Sequence, residues 1–181
     1  MASWRSIASV AALVLVGCVA HPDLPTLGSV SDFKLTDQTG GEFKSESLAG
    51  HVWVANFMFT NCPGPCPRMS SQMREVQSAL AGKDVKLVSM TVDPDRDTPE
   101  KLAKYAAFYS ATPGVWYFLT GPRETLNHLG KDVFKLNAVD GSFDHSLRFV
   151  LVDGKSQIRG YYQTTEPDAI SRLIADAKAL L

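Results

Sequence analysis

The sequence predicts a single α/β domain in which a mixed central sheet lies between two helical layers. A nearly continuous apolar run, residues 52–59, is typical of a central strand that is covered on both faces. Apolar residues recur at spacings of three and four within residues 68–80, as in a helix that buries one face. Strand and helix patterns alternate through 181 residues, which is enough chain for one compact domain and too little for two ordinary ones.

The first half of the domain contains a hairpin, the central strand and a long helix. Residues 33–36 and 42–44 alternate between apolar and polar side chains around a turn of Asp, Gln, Thr and Gly, which predicts the β-hairpin. Pro67 can open the helix over residues 68–80, because its missing N–H is harmless in a first turn, and Gly82 ends this helix.

The second half alternates strands with helices and finishes with a hairpin and a last helix. Thr98 is a suitable N-cap for the second helix, with Pro99 at its first position. A short helix over residues 123–129 is expected to close at Gly130. The expected strands are residues 85–92, 115–119, 147–152 and 157–162, and the last helix is expected to bury Ile170, Leu173, Ile174 and Ala177.

Composition and charge exclude several classes of protein. The chain has 18 Lys and Arg against 19 Asp and Glu, so it lacks the basic excess of a typical nucleic-acid-binding domain, and we expect no nucleic-acid partner. An apolar content of 45% excludes a chain that is disordered throughout. The only long apolar run lies at the extreme N-terminus, so no internal membrane span is expected.

The N-terminus has the pattern of a bacterial lipoprotein signal peptide. Arg5 precedes an apolar segment, and Gly17 comes directly before Cys18, which resembles a lipobox in which the cysteine is acylated after cleavage. The alternative is a membrane anchor with an incidental cysteine, but about ten apolar residues are too short to span roughly 30 Å of hydrocarbon. We expect a signal peptide over residues 1–17, a lipidated Cys18 with a tether over residues 18–30, and a domain over residues 31–181.

Two cysteines remain for chemistry in the domain. Cys62 and Cys66 lie four positions apart, between the central strand and the first long helix. This spacing permits either a disulfide or a shared metal ion, and a position near a helix N-terminus favours the thiolate. Prolines at positions 63, 65 and 67 stiffen the loop. A purely structural disulfide is the alternative, although a loop of about five residues gains little stability from closure.

Two thiolates form an incomplete metal site, and His145 is the best candidate for a third ligand. It lies in a loop just before a predicted strand, and loops at neighbouring strand ends of an α/β sheet converge on one crevice. A Cys₂His set suits Cu(I), or Cu(II) with an additional weak ligand, whereas a closed structural zinc site requires four protein ligands. The other histidines are interpreted as solvated or ordinary residues: His21, His51 and His128.

Three motifs resemble the Sco/SenC family, and the resemblance covers the chain in order from about residue 31 to residue 181. They are Asn56-Phe-Met-Phe-Thr-Asn-Cys62-Pro-Gly-Pro-Cys66-Pro, Ser89-Met-Thr-Val-Asp-Pro-Asp-Arg-Asp-Thr-Pro99 and Asp144-His-Ser-Leu-Arg-Phe-Val-Leu-Val-Asp153. The resemblance implies a thioredoxin-like fold and a copper site formed by Cys62, Cys66 and His145. It also implies a part in assembling the dinuclear copper centre of cytochrome c oxidase subunit II, by delivering copper, by reducing the target's cysteines, or by both.

The sequence departs from the usual family pattern at two positions beside the cysteines. Gly64 stands where many members carry an acidic residue, and Asn61 stands where a histidine is frequent. Neither change removes a ligand, but the missing charge can alter partner choice or redox poise. Asp93 and Asp97 invite a role as outer ligands or partner contacts, although turn and capping chemistry explains their loop equally well.

Two main functions remain open. A metallochaperone would take one copper ion from a periplasmic donor and pass it to cytochrome c oxidase subunit II or another copper-enzyme precursor. A thiol–disulfide oxidoreductase would instead cycle Cys62 and Cys66 between dithiol and disulfide, although dedicated reductants use the shorter CxxC spacing. A peroxidase is a third option that nothing else in the chain favours. His145 discriminates, because a dithiol reductant has no chemical need for it.

The lipobox also predicts where the protein works. A lipidated Cys18 would attach the chain to a membrane and place its domain in the periplasm, where thiols meet oxidising conditions. We expect attachment to the inner membrane, with the outer membrane as the alternative.

Overall fold

The computed structural model describes residues 24–142 and 145–181. The predicted signal peptide, the predicted lipidation site Cys18, and His21 lie outside the described residues. Within the described part of the chain, no helix is both long and apolar enough to cross a membrane.

The described residues form one mixed sheet of eight strands: β1 (Gly28–Ser29), β2 (Lys34–Asp37), β3 (Glu42–Lys44), β4 (Val52–Met58), β5 (Val85–Thr91), β6 (Trp116–Thr120), β7 (Arg148–Val152) and β8 (Gln157–Gln163). Their order across the sheet is β1-β8-β7-β4-β5-β6-β2-β3. β4, β5 and β6 run parallel to one another, and the other pairings are antiparallel. The predicted mixed α/β sheet is confirmed, with β4 near its centre.

Helices cover both faces of this sheet. Three of them pack on one face and a short helix packs on the other. The first set is α1 (Pro65–Ala79), α2 (Pro99–Phe108) and α4 (Ala169–Ala179), and the short helix is α3 (Arg123–His128), which continues into a π-helical turn, Leu129–Val133.

β4 divides the core because its side chains alternate between the two faces. Val54 and Met58 join the cluster beneath α1, α2 and α4. Trp53 and Phe57 join the opposite cluster, where each ring meets Phe134 edge-on at 6.0 and 5.9 Å between centroids. Fully burying one large apolar side chain stabilises a fold by about 1.5–3 kcal/mol, so the continuous apolar run of β4 anchors both layers.

The start of α1 differs from the prediction, whereas the start of α2 agrees with it. α1 begins at Pro65 rather than at Pro67, because a proline is tolerated throughout a first turn in which the N–H groups have no helical partner. Cys66 is therefore part of the helix. At α2, the Thr98 side chain accepts a hydrogen bond from the Lys101 backbone N–H, as an N-cap should.

Two further boundaries differ from the prediction. Gly130 does not close α3, because the chain continues through the π-helical turn to Val133. The segment before residue 31, predicted as an irregular tether, contains β1 in its described part, where Gly28 pairs with Ile158 of β8. A strand of two residues is too short to produce a periodic signal in the sequence.

The topology places two loops side by side at one end of the sheet. β4 and β7 are antiparallel neighbours, with Ala55 opposite Val150. The carboxyl end of β4 and the amino end of β7 therefore lie next to each other at the same end of the sheet. The segment after β4, residues 59–64, and the segment before β7, which carries His145, both lie there.

Candidate metal centre

The two cysteines enter the site from different local structures. Cys62 lies in the irregular segment after β4 and is half-buried, whereas Cys66 is the second residue of α1 and is fully buried. Pro65 and Pro67 flank Cys66 in the first helical turn, where the N–H that each proline lacks would have no helical partner. Both cysteines are free thiols. The start of α1 thus holds Cys66 on a rigid element and leaves Cys62 on the loop before it.

His145 completes a cluster with both sulfurs. Its Nε2 lies 3.0 Å from the Cys66 Sγ and 3.9 Å from the Cys62 Sγ. The Nδ1 of the same ring lies 3.3 Å from the Ser146 carbonyl oxygen, and the ring meets Phe59 edge-on at 5.8 Å between centroids. The ligand atoms of the three residues all lie within 4.8 Å of one another.

Burial dominates the electrostatics of Cys66. Desolvation raises the pKa of its thiol far above the ordinary value; a backbone hydrogen bond at Phe59 opposes this shift, while the neighbouring Cys62 and Asp97 add to it. Without a metal ion, burial therefore opposes the thiolate form of Cys66 that a helix N-terminus would favour. A metal ion that binds here must displace the thiol proton.

Asp97 is buried and ties the end of β5 to the loop that carries Cys62. Its carboxylate accepts hydrogen bonds from the Thr60 backbone N–H at 3.1 Å, the Thr60 hydroxyl at 2.5 Å and the Thr91 hydroxyl at 2.5 Å. Because Thr60 is two residues before Cys62, Asp97 positions the loop. Its oxygens do not belong to the cluster of three ligand atoms.

Asp93 builds the turn that follows β5. Its backbone N–H donates to the Thr91 hydroxyl at 2.9 Å, and its carbonyl accepts from the backbone N–H groups of Arg96 and Asp97 at 3.1 and 2.9 Å. Its carboxylate pairs with Arg96 at 3.4 Å. These contacts follow the turn chemistry that the sequence offers for this loop, and a contact of Asp93 with a partner stays a prediction.

The other described histidines lie away from the site. The His51 Nδ1 is 2.5 Å from an Asp84 carboxylate oxygen, at the amino end of β4 and so at the opposite end of the sheet. The His128 Nδ1 is 3.1 Å from an Asp132 carboxylate oxygen on the outside of α3. Neither contributes to the cluster.

Asn137 is a neighbour of the site that the sequence pattern does not identify. Its side-chain oxygen accepts a hydrogen bond from the backbone N–H of Ser146, the residue after His145, at 3.4 Å. A single asparagine in a segment without hydrophobic periodicity carries no signal of such a role.

Two thiols and an imidazole at this spacing suit a soft metal ion. A spread of 4.8 Å is close to twice a metal–sulfur bond of about 2.3 Å, so one ion can contact all three ligand atoms. The Nδ1 of His145 faces a backbone carbonyl, which leaves Nε2 directed at the sulfurs. The fold and the site define a class of protein, an α/β domain with a candidate metal centre of two cysteines and one histidine at the ends of its central strands.

Comparison with known proteins identifies the family. The model of the SCO1/SenC family matches residues 24–181, and the chain belongs to this family. The resemblance inferred from the three motifs is confirmed.

Three solved structures share the fold. A SCO1/SenC family lipoprotein from Bacillus anthracis str. Ames is 32% identical, with a TM-score of 0.77 over 84% of this chain and 95% of that chain. BsSco, described as having a disulfide switch and as a member of the Sco family of cytochrome c oxidase assembly proteins, is 32% identical, with a TM-score of 0.77 over 87% and 96%. Bradyrhizobium japonicum ScoI, solved with copper bound, is 25% identical, with a TM-score of 0.68 over 83% and 98%. The thioredoxin-like fold is confirmed.

Proposed function

We propose that the protein is a copper metallochaperone in which Cys62, Cys66 and His145 hold one copper ion. The observation that carries this proposal is the 3.0 Å approach of the His145 Nε2 to the Cys66 Sγ, across 79 positions of sequence. A dithiol reductant needs no imidazole at its thiols, whereas copper favours a mixed set of sulfur and nitrogen ligands. The copper-bound structure of B. japonicum ScoI, a relative with the same fold, supports the choice of metal.

The acceptor in this proposal is cytochrome c oxidase subunit II or another copper-enzyme precursor, and the donor is a periplasmic copper carrier. The description of BsSco as a cytochrome c oxidase assembly protein supports the choice of subunit II as the acceptor. Cys62 and His145 are only half-buried, so thiolates of an acceptor can reach the ion and replace these ligands one at a time. No covalent step is required for such an exchange.

The chain would work as a lipoprotein attached to the periplasmic side of the inner membrane through an acylated Cys18. The lipobox pattern and the lipoprotein relative from B. anthracis support this placement. Leu24, the first described residue, is six positions after Cys18, and an extended chain of six Cα–Cα steps reaches about 20 Å. Growth of cells with a radioactive fatty acid tests this placement. We expect the parent protein to be labelled and Cys18→Ser to remain unlabelled.

Copper stoichiometry tests the site directly. The reduced protein is loaded with Cu(I) without oxygen and desalted, in parallel with Cys62→Ser, Cys66→Ser and His145→Ala. His51→Ala is the matched control, because that histidine lies at the opposite end of the sheet. We expect one copper per chain in the parent and the control, and strongly weakened binding in the three site variants. If His145→Ala binds copper as tightly as the parent does, His145 is not a ligand.

A thiol–disulfide oxidoreductase is the second candidate, because Cys62 and Cys66 are free thiols in one cluster. The half-buried Cys62 thiolate would attack a target disulfide, and Cys66 would resolve the mixed disulfide, so that the target gains two electrons and two protons while a Cys62–Cys66 disulfide forms. The disulfide switch described for BsSco supports this possibility. A parent protein that reduces a disulfide peptide but retains no copper would favour this function over the metallochaperone.

A further inference from the structure

We propose that Asn137 is a positioning residue for His145, and that it holds the imidazole in the tautomer and orientation that a metal ion requires. The inference deepens the proposed copper function and rests on it for the identity of the metal. Among the described residues, the side-chain hydrogen bonds of Asn137 join it to Ala138 and Ser146, so it acts through the peptide that follows the histidine.

The chain of contacts from Asn137 to the metal site is short. The Asn137 Oδ1 accepts from the Ser146 N–H at 3.4 Å, and that N–H belongs to the peptide bond between His145 and Ser146. The Ser146 carbonyl oxygen lies 3.3 Å from the His145 Nδ1 and accepts its proton. With the proton on Nδ1, the Nε2 lone pair is free to face the Cys66 Sγ at 3.0 Å. Asn137 therefore fixes the backbone that fixes the imidazole.

The π-helical turn fixes Asn137 in its place. The carbonyl of Gly130, within that turn, accepts from the backbone N–H groups of Leu136 and Asn137 at 2.9 and 3.3 Å. A Cβ atom on Gly130 would lie 2.5 Å from the Asn137 carbonyl oxygen and 3.4 Å from its side-chain nitrogen. Only glycine permits this approach, so the turn that extends α3 brings Asn137 to the end of the loop that carries His145.

The amide side chain of Asn137 suits this position because it can donate and accept at once. Its Nδ2 donates to the Ala138 carbonyl at 3.2 Å while its Oδ1 accepts from Ser146. The first bond orients the amide group, and the second connects the two ends of the loop between the π-helical turn and β7. Backbone carbonyls such as that of Ser146 are common partners of metal-binding histidines, and loss of such partners typically weakens metal binding by about 10- to 100-fold.

Asn127, on α3, provides a matched control because its side chain bonds to the same loop. Its Oδ1 accepts from the Val139 backbone N–H at 2.8 Å, which is the same type of bond at a shorter distance. Val139 is six residues before His145, so this bond holds the loop without holding the histidine peptide. A general weakening of the loop predicts a larger effect for Asn127→Ala, whereas positioning of His145 predicts a larger effect for Asn137→Ala.

The experiment compares the parent with Asn137→Ala, Asn137→Asp and Asn127→Ala. Asn137→Asp keeps an acceptor oxygen for the Ser146 N–H. The first readout is the pair of ¹⁵N shifts of the His145 ring in the reduced, metal-free protein at about pH 8, where an ordinary imidazole is neutral. The second is Cu(II) binding in competition with a chelator, together with the thiolate-to-copper absorption band.

We expect the parent, Asn137→Asp and Asn127→Ala to show the Nδ1–H tautomer, and Asn137→Ala to show a mixture of tautomers with Cu(II) binding about tenfold weaker. An unchanged tautomer in Asn137→Ala, or an equal change in Asn127→Ala, overturns the proposal. If the parent binds no copper, the proposed function fails, but the ring shifts of the metal-free proteins still decide the role of Asn137.

Discussion

Replacing Asp97 with alanine is expected to lower the free energy of unfolding by about 3–5 kcal/mol. Three hydrogen bonds end on this buried carboxylate, and bonds to a charged group contribute about 1.5–3 kcal/mol each. The simple sum is an upper limit, because the Thr91 hydroxyl keeps a contact with the Asp93 N–H and the half-buried Thr60 can reach water. The loss falls on the loop that carries Cys62, so copper binding should weaken as well.

Urea denaturation of the metal-free, reduced protein measures this change, and Asp95→Ala is the matched control. Asp95 lies in the same loop, but its side chain is 75% exposed and pairs with Arg123 at the surface, so its loss should cost about 0–1 kcal/mol. A change below 1 kcal/mol in both variants would refute the reasoning that Asp97 clamps the Cys62 loop. Equal Cu(II) affinity in Asp97→Ala and the parent would show that Asp97 stabilises the loop without affecting the metal site.

Three further predictions follow from burial and charge. In the reduced, metal-free protein, alkylation should modify Cys62 well before Cys66, because burial shields Cys66 and raises the pKa of its thiol; equal rates by peptide mass spectrometry would contradict this. Burial of Asp153 acts to raise the pKa of its carboxyl, but hydrogen bonds from backbone amides and from Arg159 outweigh burial and lower this pKa. The charged carboxylate therefore stabilises the fold fully above about pH 4, and this stabilisation is lost as the pH falls through the lowered pKa. The free energy of unfolding of Asp153→Asn should therefore depend less on pH in the acid range. An unchanged dependence would contradict a stabilising pair between Asp153 and Arg159. Met73→Ala should cost about 2–5 kcal/mol in urea, and a cost below 1 kcal/mol would contradict tight packing of α1.

The sequence predicted the class of fold because its strongest signals are those of the core. The stripe on α1 has a period that only a helix satisfies, and the apolar run of β4 has the length and the aromatic and β-branched content of a buried strand. The boundaries were less certain for physical reasons. Pro65 and Pro67 are both compatible with a first helical turn, and Gly130 is compatible with a helix end or with the close approach of another backbone.

The candidate ligands could be found from the sequence, but their environment could not. The CxxxC spacing and the histidine loop identify Cys62, Cys66 and His145, and the resemblance to a family connects them. The raised pKa of Cys66 depends on desolvation by packed helices and strands, which no local pattern reports. Asn137 is similar, since its bond to Ser146 exists only because the π-helical turn brings two distant parts of the loop together.

The three candidate ligands differ in burial and in the structure that carries them, and this difference bears on how copper would leave the proposed site. Cys66 is fully buried on α1, whereas Cys62 and His145 are half-buried on loops. Under the proposed function, an acceptor thiolate that approaches from solvent would meet Cys62 and His145 first, and the bond from copper to Cys66 would be the last to break. When that bond breaks, the raised pKa of Cys66 favours uptake of a proton in place of the metal. Under the proposed function, burial of Cys66 thus makes a firm ligand that can still release its ion.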